Sequence, residues 1–174
     1  AALRRAVAYH AARGRTALIG PGGPLSYAAL GTRIDRAASI FAELSPGEPV
    51  AILASRTPDA VALLLGVMQA GGCPSFVDPN LGLDTLVHQL QAADIPRVIL
   101  HGTPEPLAHT LDRQGLHVHI PRLDDETVCP LTSAARDVAA TAPALWLFTS
   151  GSSGRPKEVV LTHGNLLAHA HGIV

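Results

Sequence analysis

Lysine is almost missing from this 174-residue chain: twelve of its 13 basic residues are arginine, and the exception is Lys157. Cysteine is scarce too. Cys73 and Cys129 have no CxxC spacing, which excludes a disulfide framework and a cysteine-based zinc site and predicts reduced thiols in a cytoplasmic setting. No apolar segment follows Arg4 and Arg5, so a secretory signal peptide is not expected. The uncharged run from Ala60 to Val77 is broken by Gly71, Gly72 and Pro74, which leaves far fewer than the ~20 apolar residues that span a bilayer. Fourteen acidic residues offset the basic ones, and this balance, with no evident basic cluster, argues against nucleic-acid binding. What is abundant is apolar: 47% of the residues, with a mean hydropathy of +0.25, which excludes intrinsic disorder. At this length folding buries roughly 70% of the unfolded surface, enough for one core or for one lobe of something larger. The chain begins without methionine and stops at Val174 inside a helical pattern, and it is therefore expected to be a piece of a longer polypeptide.

Helical and strand patterns alternate along the chain. A helix is predicted from Ala1 to Arg13, closed by Gly14, then a short strand from Thr16 to Ile19 and a turn at Pro21-Gly22-Gly23-Pro24. Ser26 is a candidate N-cap for a helix from Tyr27 to Leu44, with Leu30, Ile34, Ala37, Ala38 and Phe41 inside and Arg33, Asp35 and Arg36 in water. Val50 to Ala54 reads as a buried strand. Thr57 or Asp59 opens a helix through Ala70 with Val61, Leu64, Leu65 and Met68 on its inner face; Gly71 ends it and Cys73 to Val77 follows as a strand. Leu83 to Ala93 and Thr103 to Gln114 read as helices, Arg97 to Leu100 and His117 to Ile120 as strands. Buried strands separated by helices predict an α/β fold with a mostly parallel sheet flanked by helices, because a parallel connection needs a crossover. The pattern loosens from Arg122 to Ala142, where Asp124-Asp125-Glu126 reads as a solvated loop; Ala144 to Phe148 is the next strand.

Chemistry concentrates after that strand. Thr149-Ser150-Gly151-Ser152-Ser153-Gly154-Arg155-Pro156-Lys157 carries four hydroxyls, two glycines, an arginine and the lone lysine, and leads into a strand from Val159 to Thr162. Glycines let successive N–H groups converge on one concavity, and hydroxyls add donors for phosphate oxygens. A lysine contributes a mobile point charge. The glycine spacing and Pro156 exclude a GxxxxGK[ST] P-loop. SGSSG alone would also suit a flexible hairpin linker; the complete string, followed by Val159-Val160-Leu161-Thr162-His163-Gly164-Asn165, favours a phosphate cradle.

Thr149 to Lys157 with Thr162-His163 and Asn165 resembles the phosphate-loop signature of the adenylate-forming superfamily, which includes acyl- and aryl-CoA ligases, nonribosomal peptide synthetase adenylation domains and luciferases. Leu25-Ser26-Tyr27-Ala28-Ala29-Leu30 is similar to the family's early L-[TS]-Y-x-x-L segment. Gly66 to Gly72 running into Phe76-Val77-Asp78-Pro79 resembles its helix-to-strand segment. All three occur in family order over nearly the whole chain. The resemblance implies that residues 1–174 are part of the N-terminal subdomain of an AMP-binding domain, ending just after the phosphate loop. It implies two steps: a carboxylic acid attacks the α-phosphate of ATP, assisted by Mg²⁺, and the acyl group then passes to the phosphopantetheine thiol of CoA or of a carrier protein. Thr149, Ser150, Gly151, Ser152, Ser153 and Gly154 would hold the β- and γ-phosphates, and Lys157 would act catalytically by neutralising departing pyrophosphate. Glu158 stands where the family usually has glycine. The adenine-stacking segment, the Mg²⁺ ligand, the ribose-binding aspartate, the hinge and a second catalytic lysine all follow the phosphate loop in the family, so this piece alone is expected to be inactive, with the remainder of the domain as its partner in cis or in trans. The competing reading is a non-catalytic truncated or split lobe that serves in assembly.

The other candidates are weaker. His117 and His119 would share one face of a strand, but no third metal ligand is in register, so both are expected at the surface. His169 and His171 lie on different helical faces. His163 is open to a capping, packing or substrate role, and His10, His88, His101 and His109 are isolated. Asp78 reads as a strand-ending turn residue. Neither Cys73 nor Cys129 has a basic helper nearby, which excludes a nucleophile in the usual setting.

Overall fold

The computed structural model describes residues 2–20, 22–102, 105–123, 136–149 and 157–172. Helix α1 (Ala2–Ala11) is followed by Gly14 at φ +61°, a left-handed turn that suits glycine. Strands β1 (Thr16–Gly20) and β2 (Gly23–Ser26) form an antiparallel hairpin. The second strand was not expected from Gly-Pro-Leu-Ser; pairing of Leu25 with Leu18, and the packing of both on the core, creates it. The Ser26 hydroxyl accepts a hydrogen bond from the Ala29 N–H at 3.2 Å and caps α2 (Tyr27–Ile40) as predicted.

Helix α2 is shorter than its pattern. It stops at Ile40, and the turns beyond it carry Phe41 and Leu44 into the core. The carbonyls of Ala42 and Leu44 are taken up by the guanidinium of Arg136, a partner 92 residues or more away that no local pattern reveals.

Strands β3 (Pro49–Ala54), β4 (Cys73–Val77), β5 (Arg97–His101) and β6 (His117–His119) form a parallel sheet in the order β4-β3-β5-β6. Helices α3 (Pro58–Gln69), α4 (Leu83–Ala92) and α5 (Glu105–Arg113) connect them. Alternation along the strands divides the core. Val50, Ile52 and Ile99 pack with α2 and α3, whereas Ala51, Leu53, Val98 and Leu100 pack with Leu86, Leu90 and Leu111 on the other face. The α/β architecture with a parallel sheet flanked by helices is therefore the one expected.

Thr57 caps α3 through the Ala60 N–H at 3.2 Å, with Pro58 in the first turn. The inner face of α3 differs from the expected one. Ala62, Leu63, Gly66 and Val67 are fully buried, while Val61, Leu64, Leu65 and Met68 are only half-buried. The crossing with α2 selects small residues: a Cβ on Gly66 would lie 2.4 Å from that of Ala37. Arg33, Asp35 and Arg36 are likewise not simply in water. Arg33 pairs with Asp59 at 2.5 Å, Gln69 donates to Asp35 at 2.6 Å, and Arg36 donates to the Leu123 carbonyl.

Strands β7 (Pro143–Thr149) and β8 (Lys157–Thr162) form a separate antiparallel hairpin, with β7 beside β4, and lead into α6 (His163–Gly172). Trp146 and Phe148 rest against the second core cluster.

Candidate functional site

The β7–β8 register brings the two ends of the predicted phosphate loop together. Thr149 pairs with Lys157 as the last rung of the hairpin, and the Thr149 hydroxyl donates to the Lys157 carbonyl at 3.2 Å. Thr149 thus closes the neck of the loop. Ser150, Gly151, Ser152, Ser153 and Gly154 lie outside the described residues. Lys157 is exposed and has no carboxylate in ion-pair distance among the described residues. Glu158 pairs with Phe148; as the next residue along the strand it faces the opposite side from Lys157, which separates the carboxylate from the ammonium.

Downstream, Thr162 and Asn165 hold the start of α6 reciprocally. The Asn165 N–H donates to the Thr162 hydroxyl at 3.1 Å, and the Asn165 side-chain oxygen accepts from the Thr162 N–H at 3.0 Å. This is a capping box with asparagine in the third helical position. Gly164 allows close approach: its N–H donates to the Ala140 carbonyl at 2.7 Å, and a Cβ would lie 3.0 Å from that oxygen. Its requirement was invisible in the sequence because Ala140 belongs to the loosely patterned stretch. The His163 ring packs inward with Nε2 buried and no hydrogen-bond partner, and burial pushes its pKa below 6.5. That favours packing among its three open roles.

The remaining candidates resolve into structure. His117 is exposed, but His119 is not: its ring meets Phe41 edge-on at 5.5 Å, and Nε2 accepts from Arg97 at 3.0 Å. Arg97 is also paired with Glu48 at 3.0 Å. Burial, then the Arg97 charge, push His119 below 6.5, with His117 acting the same way and Glu43 opposing. His101 is not isolated, for Nε2 lies 3.5 Å from the Asp59 carboxylate, and His10 stacks on Tyr27 at 4.8 Å. Asp78 accepts from the Asn80 N–H at 2.9 Å and is a turn residue as read. Burial pushes the Cys73 thiol up to about 11, too high for a thiolate nucleophile near neutral pH. Cys129 and Asp124-Asp125-Glu126 lie outside the described residues. No group of three or more His, Cys, Asp or Glu suited to a metal occurs among the described residues, and no helix there is long and apolar enough to cross a membrane.

The two depressed histidines set a pH dependence. The folded chain binds fewer protons than the unfolded one between the folded values and 6.5, so the stability is complete above 6.5 and is lost as pH falls through the folded values. Urea midpoints are expected to drop between neutral and mildly acidic pH, and His119→Gln should flatten the slope while keeping an acceptor for Arg97. A midpoint constant across that range would contradict the assignment of His119 as neutral.

The described residues thus form a parallel sheet flanked by helices, followed by a hairpin whose neck carries a hydroxyl and an ammonium group. A profile of the AMP-binding enzyme family matches residues 3–174, and the chain belongs to that family. It is 30% identical over 149 residues to the D-alanine--D-alanyl carrier protein ligase of Lacticaseibacillus rhamnosus, covering 84% of this chain and 29% of that protein. It is 34% identical over 156 residues to the hybrid PKS-NRPS synthetase pydA of an Acremonium species, covering 83% of this chain and 4% of that protein. In structure it is similar to ATP-bound MatB from Rhodopseudomonas palustris, with a TM-score of 0.80 at 25% identity over 92% of this chain and 34% of that one. The chain thus spans less than a third of these curated relatives.

Proposed function

We propose that the chain contributes the phosphate-binding loop of an ATP-dependent ligase that activates a carboxylic acid as its acyl-adenylate and then transfers the acyl group to the thiol of CoA or of a carrier protein. The observation that carries this reading is the loop neck: a hydroxyl and an exposed lysine with no ion pair among the described residues, on one rung at the two ends of a Ser/Gly segment. These groups fit a polyphosphate. Thr149 holds the neck closed, the Ser150–Gly154 segment offers hydroxyls and backbone N–H groups to the β- and γ-phosphates, and Lys157 offsets charge that grows as pyrophosphate leaves. Mg²⁺, when bound, would supply further charge neutralisation at the phosphates; a ligand set for it is expected outside residues 1–174. The carrier-protein ligase among the relatives supports a thiol acceptor.

In this proposal residues 1–174 are part of an N-terminal subdomain, inactive alone, that works in the cytoplasm with the remainder of the domain. Phe76, Val159, Val160 and Leu167, between 39% and 43% exposed, are apolar side chains on β4, on both faces of β8 and on α6 for that remainder to cover. Nothing favours the alternative of a non-catalytic assembly lobe. The test is ATP–pyrophosphate exchange by the full-length parent against a panel of amino, aryl and fatty acids. Exchange that depends on one class of acid is expected, and no acid-dependent exchange with any class would overturn the proposal.

A further inference from the structure

The near-neutral total conceals a charge division. Residues 1–34 carry five arginines and no acidic residue, whereas residues 35–174 carry 8 basic residues against 14 acidic ones. A basic cluster is therefore present after all, and it lies on one small unit of the fold. Arg33 is spent on Asp59. Arg4, Arg5, Arg13 and Arg15 are exposed, and none is in an ion pair among the described residues.

Their arrangement is ordered. Leu3, Val7 and Ala11 line the side of α1 that faces Tyr27 and Gly31 of α2, and a Cβ on Gly31 would meet Val7 at 3.0 Å. On the opposite side Arg5 and Tyr9 lie four residues apart on α1, and Arg13 stands in the turn just beyond its end. The Arg13 guanidinium lies 3.4 Å over the Tyr9 ring and donates to the Tyr9 carbonyl at 2.8 Å. Tyr9 itself is 53% exposed. Arg15 is held at 3.4 Å from His10, whose ring stacks on Tyr27. Stacking on Tyr9 restrains the Arg13 guanidinium before any partner arrives, so less of its side-chain entropy is lost on binding.

We propose that the outer face of α1, with Arg5 and Tyr9, together with Arg13 and Arg15 just past its C-terminal end, is a docking surface for an acidic helix of a partner protein. Spacing and charge select that occupant. Carboxylates spread over two turns of a helix would find Arg5 at one end and Arg13 and Arg15 at the other, and Tyr9 between them supplies an aromatic side chain of the kind enriched at interfaces. A nucleic acid is a poor match, because its extended negative charge would run beyond this short patch onto a body with six more acidic than basic residues. A lipid surface is also a poor match, since the apolar side of α1 is turned to α2.

The test is fluorescence anisotropy with a labelled helical peptide carrying glutamate at every fourth position, with the glutamine version as control. Oligothymidylate and phosphatidylserine vesicles serve as competing probes. The glutamate peptide is expected to bind in a salt-sensitive way and the glutamine peptide not to bind. The double variant Arg5→Gln/Arg13→Gln should bind about five- to tenfold more weakly, with a thermal melt lowered only slightly, because both side chains are exposed and the contacts of Arg13 with Tyr9 lie at the surface. Equal binding of the two peptides, no binding, full binding by the double variant, or tighter binding of oligothymidylate or vesicles would each overturn the proposal.

Discussion

Lys157→Ala in the full-length parent is expected to slow acid-dependent ATP–pyrophosphate exchange by about 10²-fold, while leaving the stability of the protein nearly unchanged. The first half follows from charge. Displacement at the α-phosphate sends negative charge onto departing pyrophosphate, and a point charge aimed at it acts mainly in the transition state. The second half follows from exposure: the side chain is exposed and makes no ion pair among the described residues. Lys157→Arg keeps the charge but replaces a compact ammonium with a planar fork, so it should restore part of the rate. A rate unchanged in Lys157→Ala would remove the residue from the site. A large loss of stability would assign it a structural role in the hairpin instead.

Gly66→Ala is expected to destabilise the fold by about 2 kcal/mol, although alanine is the better helix former by about 1 kcal/mol. The new Cβ would stand 2.4 Å from the Ala37 Cβ and 3.0 Å from both the Ala38 nitrogen and the Ile34 carbonyl. None of these atoms can rotate away, so α2 and α3 would have to separate along their whole crossing. Urea denaturation gives the measurement. Ala37→Gly in the same chain should recover part of the loss, because the two positions share one contact and their effects should not add. An unchanged or raised midpoint for Gly66→Ala would show that the helices shift without strain.

These two positions differ in how they could be found. The role proposed for Lys157 is read from the sequence because the chemistry is local: the donors of a phosphate loop are consecutive residues, and a nine-residue string supplies candidates for them. The caps at Ser26 and Thr57, and the strands from Pro49 to Ala54 and Cys73 to Val77, were legible for the same reason, since caps and runs of apolar residues are short-range patterns. Gly66 belongs to a recognisable segment, but its need for hydrogen in place of a side chain depends on Ala37, almost thirty residues earlier. The inner face of α3 was misjudged for a related reason. In a helix apolar nearly all round, periodicity does not say which side meets the sheet, and the buried side proved to be the one with the smaller residues, where α2 approaches closely.

His119 and the arginines of α1 were misjudged through summation. A whole-chain charge count cannot register that five positive charges precede the first acidic residue, nor that four of them stay exposed together. A strand histidine read two residues at a time does not reveal Arg97 and Phe41 beside it.

By itself, then, the sequence determined the class of fold, the order of its main elements and the Ser/Gly string between Thr149 and Lys157 on which the proposed phosphate loop rests, because each depends on residues close together in the chain. Only the tertiary structure decided which side of α3 is buried, that Thr149 closes the loop neck on Lys157, that burial and Arg97 disfavour the charged form of His119, and that Arg4, Arg5, Arg13 and Arg15 are exposed with no ion pair among the described residues. Each of these depends on groups distant in sequence, whose distances and desolvation exist only once the chain has packed.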